Sequence, residues 1–166
     1  MTATKRNQFT KYESLTTNLP VNPFGKIYFV ADNTDAWYPR FQELFPEDID
    51  GETRLFTNLD TAVGACTANR GDVIMVKPGH AETVSAAAGI VLNKAGVAIV
   101  GLGDGSSRPT ITYTTANTAT TVVSAANISI QNLLFVGNFL SIASALVVSG
   151  TDFAVEKCEF RDTSAV

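Results

Sequence analysis

Two stretches of this chain overlay without a gap. "TVVSAANISIQNLLF" (Thr121–Phe135) and "LVVSGTDFAVEKCEF" (Leu146–Phe160) are offset by 25 residues at both ends (146 − 121 and 160 − 135). Val122 and Val123 fall on Val147 and Val148, Ser124 on Ser149, and Ile128 and Ile130 on Phe153 and Val155. Leu133 falls on Cys158 and Phe135 on Phe160, while the alternate positions are mixed: Ser129 with Ala154, Gln131 with Glu156, Leu134 with Glu159. A period of two is the signature of a strand with one apolar face. The phase breaks at Asn132 and Lys157, where two polar positions in a row predict a corner. An earlier copy, "IVLNKAGVAIVG", sets Ile90 and Leu92 on Thr121 and Val123, and Val97 and Ile99 on Ile128 and Ile130. Its offset is 31 (121 − 90), which lands Gly101 on the corner of Asn132, and its third strand, "TITY", follows the loop "LGDGSSRP".

Three short strands per unit of this length is the pattern of a parallel β-helix. Each coil buries its inward residues on the coils before and after, and a single coil has nothing to bury them on. Roughly five inward apolar side chains per coil, at about 1.5–3 kcal/mol each, are of the right order to offset the ordering of the corners. The expectation is therefore a stack with no separate packing layer.

Upstream of the repeat the chain is heterogeneous. Residues 1–25 are rich in Thr and Asn, carry Pro20 and Pro23, and show neither strand nor helix period. They read as an extended arm, mobile or ordered by lying on a neighbour. Residues 26–79 read as a strand and helix cap, and 80–166 as the coils. "KIYFV" is a short β-rich run, and "YPRFQELF" offers Phe41, Leu44 and Phe45 on one face of a short helix ended by Pro46. A second helix is predicted where Leu59, Ala62, Val63 and Cys66 recur at i, i+3, i+4 and i+7, with Thr57 or Asn58 as N-cap and Gly71 as the stop. It spans about three turns on this reading. Its place before the first coil suits it to cap the stack and hide edge hydrogen bonds. "DVIMVKPG" is an apolar strand closed by a Pro-Gly turn.

The segment "FTNLDTAVGACTANRGDVIMVKPGHAETVSAAAGIVLNKAGVAIVGLGDGSSRPTI" resembles the N-terminal capping region of pectin-lyase-like right-handed β-helix proteins. In those a helix precedes a "GD-v-V-PG" strand, and a strand pair ending in "gv-i-G-g" follows. The resemblance runs from about Phe56 to Phe160 and implies a fold rather than an activity. The fold class it implies is all-β: a short right-handed parallel β-helix with an N-terminal capping α-helix and an extended N-terminal arm. The same layout behind a Thr/Asn-rich arm and an acidic loop also resembles virion structural proteins of tailed bacteriophages, both capsid decoration proteins and tailspike-like proteins.

Candidate chemistry is sparse. The glycines of "IVGLGDGSSRP" are spaced G-x-G-x-G and are followed by a Thr-rich strand, whereas a dinucleotide loop needs G-x-G-x-x-G before a helix. They read as a corner that needs positive φ. His80 is the only histidine, which excludes a metal site built on histidines and favours a structural role. "PEDIDGE" (Glu47, Asp48, Asp50, Gly51, Glu52) partly echoes a calcium loop, but the ligand series is too short and reads as a solvated loop. Glu156, Glu159, Arg161 and Asp162 form a charged patch in the last coil with nothing stacked on it from the preceding one, unlike the acid–base sets of a polysaccharide lyase or hydrolase. Cys66 and Cys158 read as small buried apolar residues, a disulfide between them being the minor alternative.

Hydrophobic residues are 45% and charged residues 17% of the chain, so uncharged polar side chains must cover its surface. A net charge of −4 argues against a nucleic-acid partner, and no apolar run suits a membrane helix or a signal peptide. The sequence stops directly after the strand "CEFRD", which leaves an edge for more chain or another subunit to cover. No cofactor, metal or catalytic residue is expected. The expectation is a non-enzymatic bacteriophage virion protein on the particle surface, a capsid decoration protein assembled as a dimer or trimer and bound to capsid or other virion proteins. The particle-binding part of a tailspike is the alternative, and a polysaccharide-degrading enzyme the weakest one. The expected partner contacts are Lys5, Arg6, Phe9, Lys11 and Tyr12 of the arm, with Asp104, Arg108, Glu156, Glu159 and Arg161 on the coils.

Overall fold

The computed structural model describes residues 25–47 and 51–164. Strands β1 (Ile27–Val30) and β2 (Leu55–Phe56) flank helix α1 (Tyr38–Leu44), and helix α2 (Leu59–Ala65) follows. From there the chain repeats one circuit. β3 (Val73–Val76), β4 (Ala81–Val84) and β5 (Ile90–Leu92) form the first, and β6 (Ala98–Gly101), β7 (Thr110–Tyr113) and β8 (Thr121–Val123) the second. β9 (Ser129–Gln131), β10 (Leu134–Gly137) and β11 (Leu146–Val148) make the third, and β12 (Ala154–Glu156) and β13 (Glu159–Asp162) begin a fourth.

Every strand pairing is parallel, and from β3 onward each strand pairs with the one three places along. The result is three sheets, ordered β12-β9-β6-β3-β1-β2, β13-β10-β7-β4 and β11-β8-β5, which the chain visits in fixed rotation. The register is the one the repeat predicts, with Leu146 opposite Thr121, Ala154 opposite Ser129 and Phe160 opposite Phe135. The offset of 31 holds as well, with Ile90 opposite Thr121 and Ile99 opposite Ile130. The rotation opens at Val73, inside the segment assigned to the cap.

Identical period and parallel register set like residues on like, so the core is a set of ladders. Tyr28, Ile74, Ile99, Ile130 and Val155 form one across the largest sheet, and all but Val155 are buried. Two residues before each circuit strand of that sheet the backbone turns left-handed, at Gly71 (φ 81°), Gly96 (φ 73°), Asn127 (φ 55°) and Asp152 (φ 54°). These are the residue types that tolerate that region. The next corner does so at Asn132 (φ 58°) and Lys157 (φ 52°), where the repeat predicts a turn.

Helix α2 closes the first circuit. Leu59, Ala62 and Val63 are buried in the main core beside Tyr28 and Val30, as the stripe predicts. The Asn58 side chain accepts from Thr61 N–H, making it the N-cap. Asp60 Oδ1 accepts a hydrogen bond from Val91 N–H at 2.8 Å, which takes up an edge donor of β5. The helix is two turns long rather than three, and Gly71 does not stop it. Cys66 is already extended, because the Thr67 N–H is drawn to Asp72 Oδ2 at 2.8 Å.

The expectation of no separate layer is corrected. Phe29, Ala31 and Leu55, on the outer face of the largest sheet, form a second small core with Tyr38, Phe41 and Phe45. Phe45 stacks on Phe29 at 4.4 Å between ring centres. Leu44, expected on the same face, is exposed. Cys66 is buried, Cys158 is only half-buried, and both are free thiols.

Candidate functional site

The glycine loop resolves into three separate demands. Gly101 has no positive φ, against expectation. A Cβ there would lie 2.2 Å from the Asn132 carbonyl oxygen, so the glycine permits close approach of the next circuit. The Asn132 amide donates to the carbonyls of Gly101 at 2.8 Å and Gly103 at 2.7 Å. Gly103 (φ 90°) and Gly105 (φ 50°) are the left-handed members. In this arrangement two loop carbonyls converge as acceptors on the Asn132 amide.

His80 is buried at the β3–β4 corner, where its carbonyl accepts from Thr110 N–H. Its Nε2 lies 3.4 Å from Glu82 Oε2, and that oxygen also accepts from Leu59 N–H at the start of α2. The histidine thus belongs to the junction of cap and first circuit. Of the acidic loop, residues 48–50 lie outside the described residues, and Glu52 forms an ion pair with Lys26. Among the described residues no group of three or more His, Cys, Asp or Glu side chains is placed to hold a metal ion, and no helix is long and apolar enough to cross a membrane.

Lys5, Arg6, Phe9, Lys11 and Tyr12 lie outside the described residues. Asp104 is exposed beside the 3-10 turn Gly105–Ser107. Glu156 lies on the outer face beside Gln131, 3.5 Å from its amide. Arg108, Glu159 and Arg161 come together: Arg161 Nη2 is 2.6 Å from Glu159 Oε1, and Arg108 Nη1 is 3.2 Å from Glu159 Oε2. Arg108 reaches the last-coil patch from two circuits earlier, since it precedes β7, two strands down the same sheet. The Arg161 hydrogen bond, aided by both guanidinium charges, holds the Glu159 carboxyl below the ordinary range.

Sequence reasoning placed inward and outward positions and read the last strand as an edge, but did not say which core positions lie exposed there. There the buried ladders become a surface. Val123, Ile130 and Phe135 are 0%, 1% and 3% exposed, whereas their repeats Val148, Val155 and Phe160 are 45%, 38% and 56% exposed. Phe160 stacks on Phe135 at 5.0 Å and 15°, and Phe135 on Tyr113 at 6.5 Å and 24°, so an aromatic column ends in an exposed ring. A groove beside it is lined by Phe135, Phe139, Ile142, Phe160, Arg161 and Asp162. Phe139 and Leu140, in the loop between β10 and β11, add exposed apolar surface. The offset alignment carried this signal, because Val155 and Phe160 copy the core positions of Ile130 and Phe135.

No protein family, curated protein or solved structure matches this chain.

Proposed function

We propose that this chain is a structural protein built on a short right-handed parallel β-helix, and that it works by assembly. The observation that carries this reading is the stack itself, three parallel sheets visited in fixed rotation around ladders of like residues. Such quasi-one-dimensional stacks serve as extended contact surfaces. Right-handedness follows the strong preference of parallel crossovers. The setting we propose is the surface of a tailed-bacteriophage virion, where the protein serves as a homo-oligomeric capsid decoration protein bound to capsid or other virion proteins. Resemblance in the arm, the acidic loop and the coils supports that setting.

The test is the copy number and position of the chain on purified particles of the phage that encodes it. Many copies on the head are expected, and absence from the particle overturns the reading. A few copies at the tail would favour the second reading, the particle-binding part of a tailspike.

A further inference from the structure

We propose that helix α1 is a strap, which lifts off the outer face of the largest sheet as a unit while the circuits stay folded. The ion pair of Asp35 with Lys77 is its catch.

The strap has a defined seat. On the outer face Leu55, Phe29, Met75 and Val100 stand opposite one another across β2, β1, β3 and β6, and the row continues as Gln131 and Glu156 on β9 and β12. Apolar side chains set side by side on an outer face need a cover. Tyr38, Phe41 and Phe45 supply it, with Phe45 stacked on Phe29 at 4.4 Å and Phe41 tilted against the same ring at 5.1 Å. Phe29, Ala31 and Leu55 are buried beneath them. This cluster is separate from the main core, which holds the ladders inside the circuits. Lifting α1 therefore breaks no contact within those ladders.

The helix has little of its own to keep it in place. It is seven residues long, none of them is buried, and the N-cap Trp37 supplies no side-chain hydrogen bond. A helix of that length does not persist in water unaided. Besides the aromatic contacts, a second hold comes through Asp35, in the connector from β1. Asp35 Oδ1 accepts from Trp37 N–H at 2.8 Å, and Oδ2 pairs with Lys77 Nζ at 2.6 Å. Lys77 belongs to the stack, since its N–H donates to Val30 C=O at 2.9 Å. One carboxylate thus ties the start of α1 to the β3–β4 corner. The Asp35 and Lys77 side chains are 21% and 17% exposed, so solvent screens the pair only in part.

Elements held by few contacts outside the main core open locally, at less cost than the whole fold. The open strap shows Phe29, Ala31 and Leu55 to solvent and leaves the three sheets intact.

Thiol labelling of the whole chain tests this, because Cys66 is buried in the main core and reports opening of the stack. Ala31→Cys places a new thiol beneath the strap, and Cys158→Ala removes the half-buried one. In this double variant iodoacetamide is expected to alkylate the introduced thiol about a hundredfold faster than Cys66. Adding Lys77→Met, which releases the catch, should speed the introduced thiol about tenfold further and leave Cys66 unchanged. Phe45→Ala should act in the same way, by removing the stack on Phe29. Circular dichroism checks that each variant keeps the fold, and Leu55→Cys replaces Ala31→Cys if that variant does not.

Equal rates at the two thiols, the result if α1 opens only with the whole fold, overturn the proposal. So does Lys77→Met if it speeds both thiols together or neither. Both thiols are read in the isolated chain, so the assembly reading survives or falls independently of the strap.

Discussion

Asp72 is the side chain on which the cap depends. It is fully buried and accepts hydrogen bonds from Lys26 N–H at 2.8 Å, Thr67 N–H at 2.8 Å and the Arg70 guanidinium at 2.7 and 2.8 Å. Arg70 also donates to the Tyr28 hydroxyl, which itself donates to Ala65 C=O at the end of α2. One carboxylate thus joins β1, α2 and β3. Burial alone would push its pKa up, but the Arg70 hydrogen bonds and the two backbone donors outweigh it and hold the value below the ordinary 3.8. A carboxyl depressed on folding stabilises the native state above its unfolded pKa, and loses that contribution as pH falls through the folded one. Asp72→Ala, which leaves a guanidinium and two amides without their acceptor, is expected to lower stability by about 3 kcal/mol in urea unfolding at neutral pH. Asp72→Asn should also flatten the fall in stability between the unfolded and folded values, below pH 3.8. A second residue-scale pair sits inside the circuits. The Tyr113 and Thr121 hydroxyls are 2.8 Å apart in the core, and burial pushes the tyrosine up to about 12. Tyr113→Phe should cost about 1–2 kcal/mol by stranding the threonine, and adding Thr121→Val should return much of it, a coupling that a double-mutant cycle reads directly.

At the scale of elements, register was the most legible property. Residues in successive circuits touch their own repeats, so an offset read along the chain is also a pairing in space. The positions of Thr121, Ile130 and Phe135 needed no further information. Helix α2 was legible in its stripe and N-cap, because both are local. Its end was not, since Cys66 leaves the helix for a carboxylate at Asp72 that only the fold brings within reach. The packing of α1 on Phe29 was hidden for the same reason: "KIYFV" shows an apolar residue on both faces without saying what covers the outer one. The Arg108–Glu159 pair, between residues 51 apart in sequence, was likewise invisible until two circuits were stacked. If α2 closes the stack through Asp60, Asp60→Ala should free the Val91 amide. Its hydrogen exchange is then expected to accelerate about tenfold, with little change at Ile130 in the core, while Asn58→Ala loosens the whole helix and costs about 1 kcal/mol.

Across the whole molecule, stability should follow position along the stack. Each inner circuit is covered on both sides, whereas β12 and β13 are covered on one, and stacked repeats fray from an uncovered end. In dilute solution the amides of β12 and β13 are therefore expected to exchange before those of β6 and β9. Within β13 the pattern should alternate, since Glu159 N–H is bonded to β10 and Phe160 N–H faces the free edge.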